Sequence, residues 1–140
     1  MKKRIILLFI VFTTLFSYGS VWIHREVEER LYRPYEGIVI VLDAGHGGKD
    51  KGAQFAGIYE SELNLVMVGK VQKILEEVGV EVRLTRVDEN DLASKTTLKR
   101  KNEDMKKRME IINKEKVDLY VSVHMNSFMD TNVKGAQVFY

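Results

Sequence analysis

The sequence predicts an α/β fold: a single domain with a largely parallel sheet and flanking helices, preceded by an N-terminal membrane-directed helix. Three observations carry that expectation. An uncharged nineteen-residue run, Ile5 to Ile23, follows the basic start Lys2, Lys3 and Arg4. Beyond it, short β-branched runs alternate with segments of helical apolar spacing, as strands joined by crossover helices do. The 140 residues, 45% hydrophobic, suffice for one domain with a real core but not for two.

Residues 1–23 read as a basic n-region and an apolar segment just long enough to span a hydrocarbon core of ~30 Å. Thr13, Thr14, Ser17, Gly19 and Ser20 weaken its second half, so a removed signal peptide and an uncleaved anchor both remain open. The lack of an A-x-A pattern favours the anchor. The positive-inside rule then puts the rest of the chain outside the cytoplasmic membrane, either anchored on its outer face or secreted to the wall. Residues 24–36, "HREVEERLYRPYE", are charged, contain the only proline, Pro34, and read as a connector.

The domain spans 37–140. "GIVIVLDAG" is a continuous β-branched run, as expected of a strand buried on both faces. From Ser61 to Val78 the apolar residues Leu63, Leu65, Val66, Val68, Ile74, Leu75 and Val78 predict a helix, which Gly79 stops. Val80 to Arg86 alternates as a strand, and a polar connection runs from Asp88 to Asn102. A second helix is expected over roughly 102–116 with Met105, Met109, Ile111 and Ile112 toward the core. Val117 to His124 is the third strand, and Gly135 to Tyr140 should begin a fourth.

Composition excludes several chemistries. Twenty-two basic and 20 acidic residues leave a net charge of +2, which makes no case for nucleic acid as a partner. The basic stretch Lys95 to Arg108 is interrupted by Glu103 and Asp104 and holds no aromatic residue, so it reads as a solvated face. Cysteine is absent, so any metal site must use His, Asp or Glu.

In open parallel sheets, reactive groups gather beyond the carboxyl ends of the strands. His46 follows the first strand, Glu60 lies at the start of the first helix, and His124 ends the third strand, so all three belong to one edge. Two imidazoles and a carboxylate are the ligand set of a hydrolytic zinc site, with a fourth position left for water. Singly, each has a plainer reading: a hydrogen-bonded histidine, or favourable charge at a helix start. The glycine-rich loop could instead cradle phosphate, but it lacks P-loop spacing and Asp43 would repel an anion. Convergence, in a chain with three histidines of which His24 sits in the connector, favours the metal.

"VLDAGHGGKDKGA", "ESELNL", Arg108 with Ile112 and Asn113, and "DLYVSVHMNS" together resemble the zinc-dependent N-acetylmuramoyl-L-alanine amidases of the amidase 3 family, over about Gly37 to Tyr140. Within that family, "NEDMKKRMEIIN" and the membrane-directed start are most similar to the sporulation and germination-specific cortex amidases. The resemblance implies that His46, Glu60 and His124 hold Zn2+ and that Arg108 and Asn126 support the site or touch substrate. It also implies hydrolysis of the amide between muramic acid and L-alanine in peptidoglycan, ahead of muramic-δ-lactam formation by a separate deacetylase. An accessory protein of the spore pathway is a further implied partner. The family takes its proton-transferring glutamate from a late strand, whereas no glutamate follows Glu115 and Asp130 is the only acid beyond His124. The expectation is therefore a C-terminally truncated amidase domain whose catalytic glutamate lies beyond Tyr140. A zinc peptidase acting on the stem peptide and a silent wall-binding fragment are the alternatives.

Overall fold

The apolar run after Gly37 becomes the central strand of the sheet. The computed structural model describes residues 2–114, 116–130 and 132–140. Its elements are α1 (Lys2–Tyr32), β1 (Val39–Ala44), β2 (Gln54–Phe55), β3 (Ile58–Tyr59), α2 (Glu60–Glu77), β4 (Glu81–Leu84), α3 (Arg100–Ile112) and β5 (Leu119–Val123). The main sheet has the order β4-β1-β5, parallel throughout, with Leu42 aligned to both Leu84 and Val121.

Every residue of β1 is buried, because it has a strand on each side and helices over its faces. Alternation then divides its side chains. Ile40, Leu42 and Ala44 join Val68 and Val80 in the apolar core, with Leu65, Val71, Leu75 and Val78 of the α2 region packed against them. Each fully buried side chain of this kind contributes about 1.5–3 kcal/mol. Asp43 lies on the opposite alternation and meets α3 through Arg108.

Helix α2 starts without a side-chain cap; instead the loop before it supplies acceptors. Glu60 N–H donates to the Ala53 carbonyl at 2.8 Å and Ser61 N–H to that of Lys51 at 3.1 Å. The helix ends as the sequence predicts, at Gly79. With φ of 96°, Gly79 lets its own N–H reach the Glu76 carbonyl and that of Val80 reach Leu75, a Schellman closure.

Helix α1 runs on through most of the 24–36 segment, as far as Tyr32, carrying spaced pairs such as His24 with Glu28 at 3.2 Å. Three expectations need correction. The second helix starts at Arg100 and ends at Ile112, and Met105 and Met109 are exposed; the buried residue of that helix is Arg108, because the surface it meets is the Asp43 carboxylate rather than an apolar face. Residues 135–140 form no strand: no ladder hydrogen bonds engage them, and Val138, Phe139 and Tyr140 are exposed. Among the described residues β5 is an edge strand of the sheet, and its Leu119, Tyr120 and Val121 are exposed as well. The segment that the sequence reads as a glycine-rich loop contains a small antiparallel hairpin, β2–β3.

Among the described residues, α1 is the one helix long and apolar enough, by length and composition, to cross a membrane. At 1.5 Å per residue its 31 residues extend about 46 Å, longer than a hydrocarbon core of ~30 Å, so its charged end would emerge from one.

Candidate metal centre

The loop from Gly45 to Ala53 is shaped by its backbone hydrogen bonds. Gly45 N–H donates to Val123, Gly47 to Asp50 and Gly48 to Glu89, while Gly52 N–H donates to the Asp50 side chain. These donors are committed within the protein, which argues against the phosphate-cradle alternative. His46 itself has φ of 63°, the left-handed region that non-glycine residues seldom occupy. It is held there because Arg108 Nη2 donates to its carbonyl at 2.7 Å.

Two guanidinium groups brace this corner. Arg108 Nη1 donates to Asp43 and to the Ala44 carbonyl, and its Nε to Asp104. Arg86, also buried, donates from Nε to Ala44 and from Nη2 to the carbonyls of Gly45 and Ser61, joining the loop to the first turn of α2. Asn64 Nδ2 adds a bond to Gly45. Asp43 accepts from Thr85, Tyr120 and Ser122 besides Arg108. Burial pushes the Asp43 carboxyl up, but the hydroxyl donors and Arg108 outweigh it and leave the group below the usual carboxylate range. Burial pulls the Arg108 guanidinium down, and Asp104 and Asp43 more than restore it.

His46, Glu60 and His124 converge at this edge, one donor atom from each lying within 4.8 Å of the others. His46 Nε2 is 3.3 Å from Glu60 Oε2, and His124 Nδ1 is 3.1 Å from Glu60 Oε1. The rings meet edge to face with centroids 4.8 Å apart. Glu60 is almost fully buried and is fixed by N–H donation from Ala53 at 2.9 Å and Met125 at 3.0 Å. Burial raises its carboxyl; those two amides, the His46 charge and the His124 bond outweigh the effect, and the net position is below the ordinary value. Two glycines are required by close approach. A Cβ on Gly45 would sit on the His124 ring, and one on Gly52 would come within 2.6 Å of Glu60 Oε2 and 2.7 Å of His46 Cδ2.

Bonds of 2.0–2.2 Å to a tetrahedral zinc put donor atoms roughly 3.3–3.5 Å apart, so this donor set fits the ion with side-chain adjustments of about an ångström. The remaining sequence-derived residues lie around it. Arg108 is beneath His46, as described. Asn126 is exposed and, with His124, Met125, Gly135, Ala136 and Gln137, lines an open groove of about 410 Å³. Asp130 accepts from Asn132 within its own turn. Sequence reasoning passed over Asp50, whose Oδ1 is 3.0 Å from His46 Nδ1, and over Arg86 and the Asp43 network. A charged residue inside an otherwise apolar strand was the available signal for Asp43.

Fold and cluster together define an α/β protein with two imidazoles and a carboxylate, a donor set that could hold a metal ion, at the carboxyl edge of a parallel sheet. The chain belongs to the N-acetylmuramoyl-L-alanine amidase family, whose model matches residues 40–140. It is 38% identical over 110 residues to the germination-specific N-acetylmuramoyl-L-alanine amidase of Bacillus subtilis, covering 76% of this chain and 46% of that protein. Among solved structures, it resembles the CwlD amidase of Clostridioides difficile in complex with the GerS lipoprotein, at 36% identity and a TM-score of 0.64, over 69% of this chain and 52% of that one. The catalytic domain of CwlV, an amidase from Bacillus (Paenibacillus) polymyxa, gives 35% identity and a TM-score of 0.56, covering 69% and 49%. The chain thus spans about half the length of such relatives.

Proposed function

We propose that the protein takes part in zinc-dependent hydrolysis of the amide between N-acetylmuramic acid and L-alanine in peptidoglycan, in the spore cortex. The observation that carries this reading is the meeting of His46, Glu60 and His124 from three separate elements at one sheet edge. These three residues would hold the ion. Zinc, when bound there, supplies Lewis acidity and a hydroxide available near neutral pH.

The chain's own residues supply order. The Ala53 and Met125 amides keep Glu60 ionised and aimed at the cluster, while Arg86 and Arg108 fix the carbonyls of residues 44–46 so that the His46 ring is placed before any ligand arrives. Asn126 and the groove beside His124 would receive the glycan-peptide. Glu60 is committed as a ligand, Asp50 to His46 and Asp130 to its own turn, so none of these is free to move the proton to the leaving nitrogen.

Residues 1–23 act in this reading as an anchor or signal, 24–36 as the connector and 37–140 as the amidase domain, on the outer face of the cytoplasmic membrane. An accessory protein is a fitting partner, since the CwlD relative was solved with a lipoprotein. Mass spectrometry of muropeptides after incubation tests the reading: free muramoyl lactyl ends are expected. Shortened stem peptides would replace it with a peptidase, and unchanged material at zinc saturation with a wall-binding module.

A further inference from the structure

We propose that Asp50 is a positioning residue for His46: its carboxylate holds the ring in the Nδ1–H tautomer and thereby aims the Nε2 lone pair at the Glu60 side of the cluster. The inference rests on the metal-site reading above and adds a residue to it. Asp50 Oδ1 lies 3.0 Å from His46 Nδ1, while Nε2 of the same ring lies 3.3 Å from Glu60 Oε2. A neutral imidazole has one N–H and one lone pair, and an ionised carboxylate can only accept. A carboxylate faces each ring nitrogen in the metal-free protein; when a cation takes the place of a proton between Nε2 and Glu60, the Nδ1 proton held toward Asp50 leaves Nε2 as the nitrogen that binds it.

The carboxylate is itself placed by backbone. Gly47 N–H donates to the Asp50 carbonyl at 2.8 Å and Asp50 N–H returns the bond at 3.1 Å, closing a four-residue bridge. Asp50 Oδ1 also accepts from Gly52 N–H at 3.2 Å. At the other end, Arg108 pins the His46 carbonyl. With the backbone fixed on both sides, ring rotation is the freedom left to His46, and Asp50 removes it. The second imidazole is treated differently. His124 turns its Nδ1 to Glu60, and among the described residues no carboxylate bonds its Nε2. The effect of Asp50 should accordingly be confined to one ring.

The test uses the full chain in detergent micelles, with zinc affinity from competition against a chromogenic chelator and ring tautomers from nitrogen-15 shifts of the metal-free protein. The parent should keep a proton on His46 Nδ1, whether or not Nε2 also carries one toward Glu60. Asp50→Ala should shift His46 toward Nε2–H and weaken zinc binding about 10–100-fold, with His124 unaltered. Asp50→Asn preserves shape and an acceptor oxygen, so it should keep the Nδ1–H form and lose less affinity than Asp50→Ala. The proposal is overturned if Asp50→Ala keeps the parent tautomer, or if its zinc affinity stays within about threefold of the parent. Equal zinc binding by the parent and His46→Ala would instead remove the metal site itself.

Discussion

Asp43 is a carboxylate set in the middle of an apolar strand, and Arg108 is its only cationic hydrogen-bond partner among the described residues. Replacing Arg108 by Met would leave that charge buried with hydroxyl donors alone and release the carbonyls of Ala44 and His46. A loss of about 3–5 kcal/mol is expected from urea unfolding, partly recovered in the Asp43→Asn/Arg108→Met double variant. A loss under about 1 kcal/mol would show that the pair is not coupled. The pH dependence follows from the lowered Asp43 value. A folded value below the unfolded one, which is about 3.9, means the stabilisation is complete above that pH and drains away as pH falls through the folded value. Asp43→Asn should therefore flatten the stability profile below about pH 4, and an unchanged slope there would contradict the assignment. Sequence made His46, Glu60 and His124 legible because strand ends and helix starts announce the sheet edge. Arg86 and Asp50 were not legible, since their roles exist only once residues 42 positions apart, or a turn, have closed.

At the scale of elements, the apolar strand β1 and helix α2 could be read directly, since burial on both faces and a glycine stop leave plain marks. Helix α3 could not. Its inward contact is a guanidinium, so a reading that sends methionines to the core names the wrong residues. The two-residue strands β2 and β3 were hidden for another reason: their pairing is set by the loop that feeds Glu60, which carries no alternating pattern. Strand β5 has one hydrogen-bonded neighbour, β1, and exposes Leu119 at 52%. Such an edge offers unpaired N–H and C=O groups to other chains. Leu119→Lys should reduce concentration-dependent light scattering while changing unfolding free energy by no more than about 0.5 kcal/mol, as an exposed substitution does. Undiminished scattering would place the self-association elsewhere, with the long apolar face of α1 the next segment to examine.

For the whole molecule, the cluster ties together parts that the fold holds unequally. His46 hangs from the loop after β1, Glu60 opens α2, and His124 follows the exposed strand β5. The first two are fixed by Arg86, Arg108 and backbone donors, whereas the described residues after His124 are mostly exposed and carry no regular structure. A cation shared by all three would thus stabilise the folded state chiefly by holding β5 and its following loop against the rest. Binding that is confined to the folded form adds about 2.7 kcal/mol at a free zinc concentration of one hundred times Kd. For a domain of this size that corresponds to a rise in Tm of roughly 10–20 °C. A chelator should reverse the shift, and His46→Ala or His124→Ala should abolish it. Hydrogen exchange gives the sharper reading: protection gained on adding zinc should concentrate in residues 119–126, with β1 and the buried turns of α2 already protected in the metal-free protein. Uniform protection across the domain would mean that the ion acts on global unfolding alone, and no thermal shift at saturating zinc would mean that these three side chains do not bind it.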